Sequence, residues 1–226
     1  MISGSTTGEH HESALLLWRL DSTLLEDSAS QGLSKAGSHK RQRVNAVFMN
    51  AHAKISCPGG GISSLKWVGP SKIFAACQDH TIKLVNADKY QVEEVLFTQH
   101  KVATCLDAFN EDLLLTGHED ALIKLWDVRT GIAERTFKSQ YDAHSKWVSQ
   151  VKFNNNVEHV FLSGSYDGSL KLWDTRNEER PLTTLKRKGG KESDNDYKVF
   201  AVEWNGPSQI LSGGSDSHIA VHQVGA

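Results

Sequence analysis

The chain has no apolar run near the roughly 20 residues that a membrane helix requires; its longest apolar clusters are about five residues, as in Ala14-Leu15-Leu16-Leu17-Trp18. A soluble chain with no membrane association is therefore expected. It also lacks an excess of charge of one sign, since 25 Lys and Arg face 27 Asp and Glu for a formal net charge of −2. Without a whole-molecule positive field, any binding to nucleic acid or anionic lipid must be local. Cysteine is scarce: Cys57, Cys77 and Cys105 are an odd number without Cys-x-x-Cys spacing. That excludes a disulfide framework and a zinc knuckle and fits a reducing compartment. There is no Asn-x-Ser/Thr acceptor, and Met1-Ile2-Ser3-Gly4-Ser5-Thr6-Thr7-Gly8 lacks the charged start and apolar stretch of a secretion signal, so secretion is not expected. The hydrophobic fraction of 38% and charged fraction of 23% are those of a chain able to form a packed core.

What the sequence does have is an internal repeat. Ala75-Ala76-Cys77-Gln78-Asp79, Thr116-Gly117-His118-Glu119-Asp120, Ser163-Gly164-Ser165-Tyr166-Asp167 and Ser212-Gly213-Gly214-Ser215-Asp216 are each followed by a short apolar-polar stretch, such as Leu170-Lys171-Leu172-Trp173-Asp174. The four turn aspartates stand 41, 47 and 49 residues apart, close to the roughly 40 to 45 residues of a four-stranded propeller blade. Within each unit, apolar residues alternate with a period of two, as in Trp147 to Phe153 and Lys198 to Trp204, which predicts strands. Ser165-Tyr166-Asp167-Gly168 is a tight-turn signal between two of them.

Trp126-Asp127 and Trp173-Asp174 resemble the dipeptides of WD-repeat β-propellers. That resemblance implies an all-β fold in which a polar tetrad of loop His, strand Ser or Thr, turn Asp and strand Trp pins each blade. Two blades match it: His100, Thr116, Asp120 and Trp126, then His144, Ser163, Asp167 and Trp173. Such a cluster lets buried polar groups satisfy one another. The unit around Asp79 has Val85 in the Trp position and the last unit has His222 there, so both are expected to be held by apolar packing more than by a polar network.

A His, Asp and Ser cluster has the composition of a hydrolytic triad, yet recurrence at one blade position makes it structural. No catalytic, cofactor or metal site is expected. His10-His11 and Cys57 lack a second pair at ligand spacing, and neither Gly59-Gly60-Gly61 nor Gly189-Gly190-Lys191 fits a phosphate loop.

The expected architecture is a partial propeller of about four and a half blades of seven. It comprises a half-blade over 1–49 with a mobile insertion at 21–43, then blades at about 62–97, 101–137, 146–185 and 198–224. Val44 to Met49 is expected to supply the outer strand of the half-blade. A first blade without its inner strand and a last blade without its outer strand would leave open edges, for which self-association is expected. Within the insertion, Lys40, Arg41 and Arg43 read as a nuclear-import or RNA-touching patch, or as a solvated loop. A second basic run, Lys186-Arg187-Lys188, precedes Glu192, Asp194 and Asp196, which cancel much of its field.

Longer stretches are similar to one family, the WD-repeat subunit of the PeBoW (pescadillo and block-of-proliferation) complex. They are the Lys-Arg-Gln-Arg insertion, His144 to Lys152, Ser163 to Arg176, and Asp196 to Trp204 leading to Leu211-Ser212-Gly213-Gly214-Ser215-Asp216. The resemblance implies a non-enzymatic scaffold in large (60S) ribosomal subunit assembly and pre-rRNA processing. It implies a block-of-proliferation-type propeller as partner, pescadillo through it, the pre-60S particle as setting, and the nucleolus and nucleoplasm of the nucleus as location. The family's ubiquitin-like domain, which engages a remodelling ATPase, has no counterpart in these residues, so that activity is not expected of them. The other reading is a peptide-reading adaptor, either a ubiquitin-ligase substrate receptor or a chromatin reader, for which Glu119, Tyr166 and Trp147 are the candidate contacts.

Overall fold

The computed structural model describes residues 14–18, 51–57, 60–97, 101–129, 137–187 and 197–224. Among them lie seventeen strands and no helix. Strands β1 (Ala14–Trp18) and β2 (Ala51–Ser56) form an antiparallel pair. Three four-stranded antiparallel meanders follow. They are β3 (Ile62–Val68), β4 (Lys72–Cys77), β5 (Thr81–Asn86) and β6 (Gln91–Phe97); β7 (Ala103–Ala108), β8 (Leu113–His118), β9 (Leu122–Asp127) and β10 (Phe137–Asp142); and β11 (Val148–Phe153), β12 (Val160–Ser165), β13 (Ser169–Asp174) and β14 (Thr183–Lys186). The last sheet has β15 (Val199–Asn205), β16 (Gln209–Gly214) and β17 (Ile219–Gln223).

The turn aspartates make the units alike. In each turn between second and third strands, the residue after the aspartate has a positive φ: His80 63°, Ala121 71°, Gly168 81° and Ser217 60°. The carboxylate accepts the backbone N–H two residues on, at Thr81, Leu122, Ser169 and His218. An Asp side chain that closes its own turn compensates for the left-handed residue that follows.

The core lies between sheets. Phe74, Ile82 and Leu84 of one sheet pack on Leu106, Leu114 and Trp126 of the next. Leu115, Ile123 and Tyr141 pack on Val151, Phe161 and Trp173, and Leu162 and Leu170 on Val199, Val202 and Ile210. The first strands β3, β7, β11 and β15 contact one another in succession and are stapled by side chains. Ser63 Oγ donates to Ala103 O at 2.6 Å, Asp107 Oδ2 accepts from Phe153 N at 2.8 Å, and Gln150 Oε1 accepts from Val202 N at 2.9 Å. Gly164 has no side chain because a Cβ there would lie 2.8 Å from both Val199 and Val202 Cγ1.

Two expected boundaries differ. The partner of β1 is Ala51–Ser56, in the register Ala14↔Ser56, and not Val44 to Met49, which lie outside the described residues. Period-two burial of Ile55 and Cys57 against Ile73 and Val85 places the strand there. The blade expected at 101–137 runs to Asp142, because its fourth strand starts where that range ended. The inward residues of β10 include Ser139 and Tyr141, both buried, and a polar pair of this kind hides the alternation. The insertion with Lys40, Arg41 and Arg43 lies outside the described residues.

Candidate protein-interaction face

Beneath the face lie the polar networks. In the third four-stranded sheet the structure brings His144, Ser163, Asp167 and Trp173 together. His144 Nδ1 donates to Asp167 Oδ2 at 3.0 Å, Ser163 Oγ and His144 Nε2 lie 2.8 Å apart, and Trp173 Nε1 donates to Ser163 Oγ at 3.0 Å. Because a carboxylate only accepts, Nδ1 carries a proton and Nε2 is left to take the Ser163 hydroxyl. Ser169 Oγ donates to Asp167 Oδ1 at 2.6 Å.

Burial alone would raise the Asp167 carboxyl, but hydrogen bonds from His144 and Ser169 outweigh it and hold it well below the ordinary carboxylate range. A depressed native pKa contributes stability that is fully present above the ordinary value near pH 4 and is lost as pH falls toward the native one. Asp167→Asn is therefore expected to destabilise the chain at neutral pH and to flatten its acid unfolding, as followed by denaturant titration at stepped pH. An unchanged acid limb would contradict this role.

In the second four-stranded sheet Trp126 Nε1 donates to Thr116 Oγ1 at 2.8 Å, and the Thr116 hydroxyl lies 2.8 Å from His118 Nε2. His100 lies outside the described residues, and the histidine seen beside Thr116 is His118. Two residues on along a strand is the same face, a signal that goes unnoticed when His118 is read as turn. Burial, then Lys124, push the His118 ring down to about 4, so the ring is uncharged near pH 7. Asp120 bonds the Leu122 N–H at 3.3 Å.

The remaining two units divide. Around Asp79 the positions of hydroxyl and indole hold buried Ala75 and Val85, while the half-buried Asp79 carboxylate takes buried Lys83 Nζ at 3.0 Å and the Thr81 hydroxyl at 2.5 Å. The last unit overturns the apolar expectation. Arg187, 2% exposed in its side chain, occupies the place of the loop histidine. Its Nη2 bonds both Asp216 oxygens at 2.7 Å, and its Nη1 bonds Ser212 O and Oγ at 2.6 Å. His222 Nε2 lies 3.0 Å from Ser212 Oγ, the indole's place in other units. Arg187 is thus no part of a solvated basic run; a guanidinium donates through five N–H groups and can replace both histidine and tryptophan contacts.

Above the networks, the residues just before the turn aspartates and at the starts of the first strands form one surface. Trp147 is 51% and Phe200 48% exposed, while Tyr166 is half-buried between them. The Trp147 and Tyr166 rings stack with centroids 6.2 Å apart at 21°, and Phe200 meets Tyr166 edge-on at 5.6 Å. Tyr166 N donates to Trp147 O at 3.0 Å, and Lys198 Nζ sits 5.3 Å from the Tyr166 ring centre. Glu119, paired with Lys101 at 4.0 Å, lines a cavity of about 690 Å³ with Asp120, Lys146, Trp147, Tyr166 and Lys198. The three candidate contacts, Glu119, Trp147 and Tyr166, therefore share one cavity with Lys198, and Phe200 lines a neighbouring one with the same three residues; Lys198 and Phe200 are absent from the sequence-based candidates. Their signal was position: Phe200 stands at the place of Ser149 in the repeat.

Chemically the face offers flat aromatic area with a charged rim. Among the described residues no three His, Cys, Asp or Glu side chains gather as a metal site. Burial pushes the Cys57 and Cys77 thiols up and Cys105 up to about 12, so all three stay protonated.

Residues 92–127 and 135–174 match the family described as WD domain, G-beta repeat. The chain is 29% identical over 210 residues to the ribosome biogenesis protein WDR12 homolog of Drosophila pseudoobscura pseudoobscura, covering 93% of this chain and 46% of that protein. It is 26% identical over 212 residues to the protein of the same name from Ixodes scapularis, covering 92% and 48%. The chain thus spans about half the length of these relatives. Among solved structures, the computationally designed Ika4 protein aligns with a TM-score of 0.60 at 20% identity, over 76% of this chain and 96% of that one, a likeness of fold alone.

Proposed function

From a chain that carries WD40 repeats in a partial β-propeller, we propose a scaffold, not an enzyme, that acts in ribosome biogenesis through a protein partner bound at the Trp147 face. The observation that carries this reading is the similarity over 93% of the chain to relatives named for ribosome biogenesis. In its finer form the proposal is assembly of the large (60S) subunit with pre-rRNA processing. The partner is then a block-of-proliferation-type propeller, with pescadillo recruited through it, in the nucleolus and nucleoplasm. Exposed aromatic residues backed by a rigid sheet are suited to an interface.

Affinity purification of the tagged chain tests it. Ribosome assembly factors, with a second propeller among them, are the expected recovery; cullin adaptors or histones would favour the peptide-reading adaptor, a reading supported by the cavity beside Trp147. We further propose that Lys40, Arg41 and Arg43 form a nuclear-import or RNA-touching patch. Replacing all three with serine is expected to lower nuclear accumulation or particle association, as seen by imaging and sedimentation. Unaltered behaviour in both would return the segment to an ordinary loop.

A further inference from the structure

Among the described residues, the last sheet joins a titratable ring and a permanent cation on one hydroxyl, where the second and third four-stranded sheets place a tryptophan indole on it. Arg187 Nη1 donates to Ser212 Oγ at 2.6 Å, and Arg187 has no acceptor to offer in return. The Ser212 proton is therefore free to point at His222 Nε2, 3.0 Å away, and an unprotonated Nε2 is the partner that satisfies it. The opposing carboxylate is already used. Asp216 takes Arg187 Nε at 3.1 Å and Nη2 at 2.7 Å, and Arg187 Nη2 also bonds His218 O at 2.7 Å.

The other groups around the ring do not relieve it. Lys186 at the end of β14, Tyr197 before β15, and Asp216 and His218 in the β16–β17 turn line the same cavity of about 440 Å³ as Arg187 and His222. Lys186 and Arg187 are cationic, Asp216 is matched to Arg187, and His218 Nδ1 is bonded to Asp216 O at 2.5 Å. Ser212 and His222 also link β16 to β17 through their side chains, beside the Gln223–Ser208 bond at the strand end, and Ile219 and Val221 of β17 are exposed.

We propose that Arg187, Ser212 and His222 form a proton-operated latch on β17: protonation of His222 strips the Ser212 hydroxyl of its acceptor, places two cations on one oxygen, and loosens that strand while the other sheets stay closed. Burial, then Arg187, hold the His222 ring below the ordinary histidine range. With a depressed native value, the latch is closed above the ordinary range near pH 6.5 and is lost as pH falls through it toward the native value.

The test is amide exchange of Ile219 to Gln223, corrected for intrinsic chemistry, between about pH 7.5 and about pH 5.5, beside an NMR titration of the His222 ring. In the wild type, β17 exchange should rise as pH falls through the ordinary histidine range, by up to about tenfold between these two pH values, with little change in β12 and β13. His222→Gln, which accepts a hydrogen bond but takes no proton, should make β17 exchange flat with pH, and Arg187→Gln should raise the His222 midpoint. A His222 that titrates at or above the ordinary value, or β17 exchange that remains pH-dependent in His222→Gln, would overturn the latch. Should His222→Gln fail to fold, the wild-type titration and its match to the β17 response decide alone.

Discussion

Trp173→Ala is expected to lower the stability of the chain by about 3–5 kcal/mol, the range for removing a large buried ring with its cavity left behind. The indole is 1% exposed, stacks on Phe161 with ring centres 6.1 Å apart at 11°, and meets Tyr141 edge-on at 5.4 Å. It also supplies the N–H that Ser163 accepts. Trp173→Phe separates the two contributions: it keeps a ring and loses the hydrogen bond, for an expected cost nearer about 1 kcal/mol plus the volume difference. Because domains are stable by only about 5–15 kcal/mol, the alanine variant should show a large drop in denaturation midpoint at an unchanged slope. An unchanged midpoint would contradict the assignment of Trp173 to the network between the second and third four-stranded sheets.

Trp147→Ala should weaken partner binding by about 2–4 kcal/mol, or about 30-fold to 1,000-fold in Kd, as for aromatic anchors at the centre of an interface. Its effect on stability should be far smaller. The ring is half exposed and its folded-state contact is the stack on Tyr166, a contribution of about 0.5–1.5 kcal/mol. Calorimetry of the purified variant against the recovered partner, next to a denaturation curve, tells the two effects apart. Wild-type affinity in a folded Trp147→Ala chain would move the interface off this face.

How much of this was legible in the sequence follows from which forces are local. The turn aspartates declare themselves because Asp closes its own turn through a neighbour two residues away, so their spacing marked four units and their strands. Alternation showed β11 and β15 for the same reason. β2 and β10 were misplaced because their inward positions are filled by pairing with a distant strand: Ile55 is buried against Ile73 and Val85, and Ser139 bonds Glu178 at 2.6 Å. In the site, His144, Ser163, Asp167 and Trp173 were readable from a motif, whereas Arg187 was not. Flanked by Lys186 and Lys188, it has the composition of a solvated run, and only the approach of Asp216 and Ser212 from the next sheet buries it. Trp147 and Tyr166 were found as aromatics beside turns; Phe200 joined them only through the packing of the last sheet against the third.

The most direct test of the account is sedimentation of cell extracts that express the wild-type chain or a Trp147→Ala, Phe200→Ala double variant shown to be folded by its denaturation curve. The account predicts that the wild-type chain travels with large-subunit precursor particles and that the double variant stays with free protein at the top of the gradient. A double variant that sediments with the precursors to the same extent as wild type would contradict the claim that this face joins the propeller to ribosome assembly.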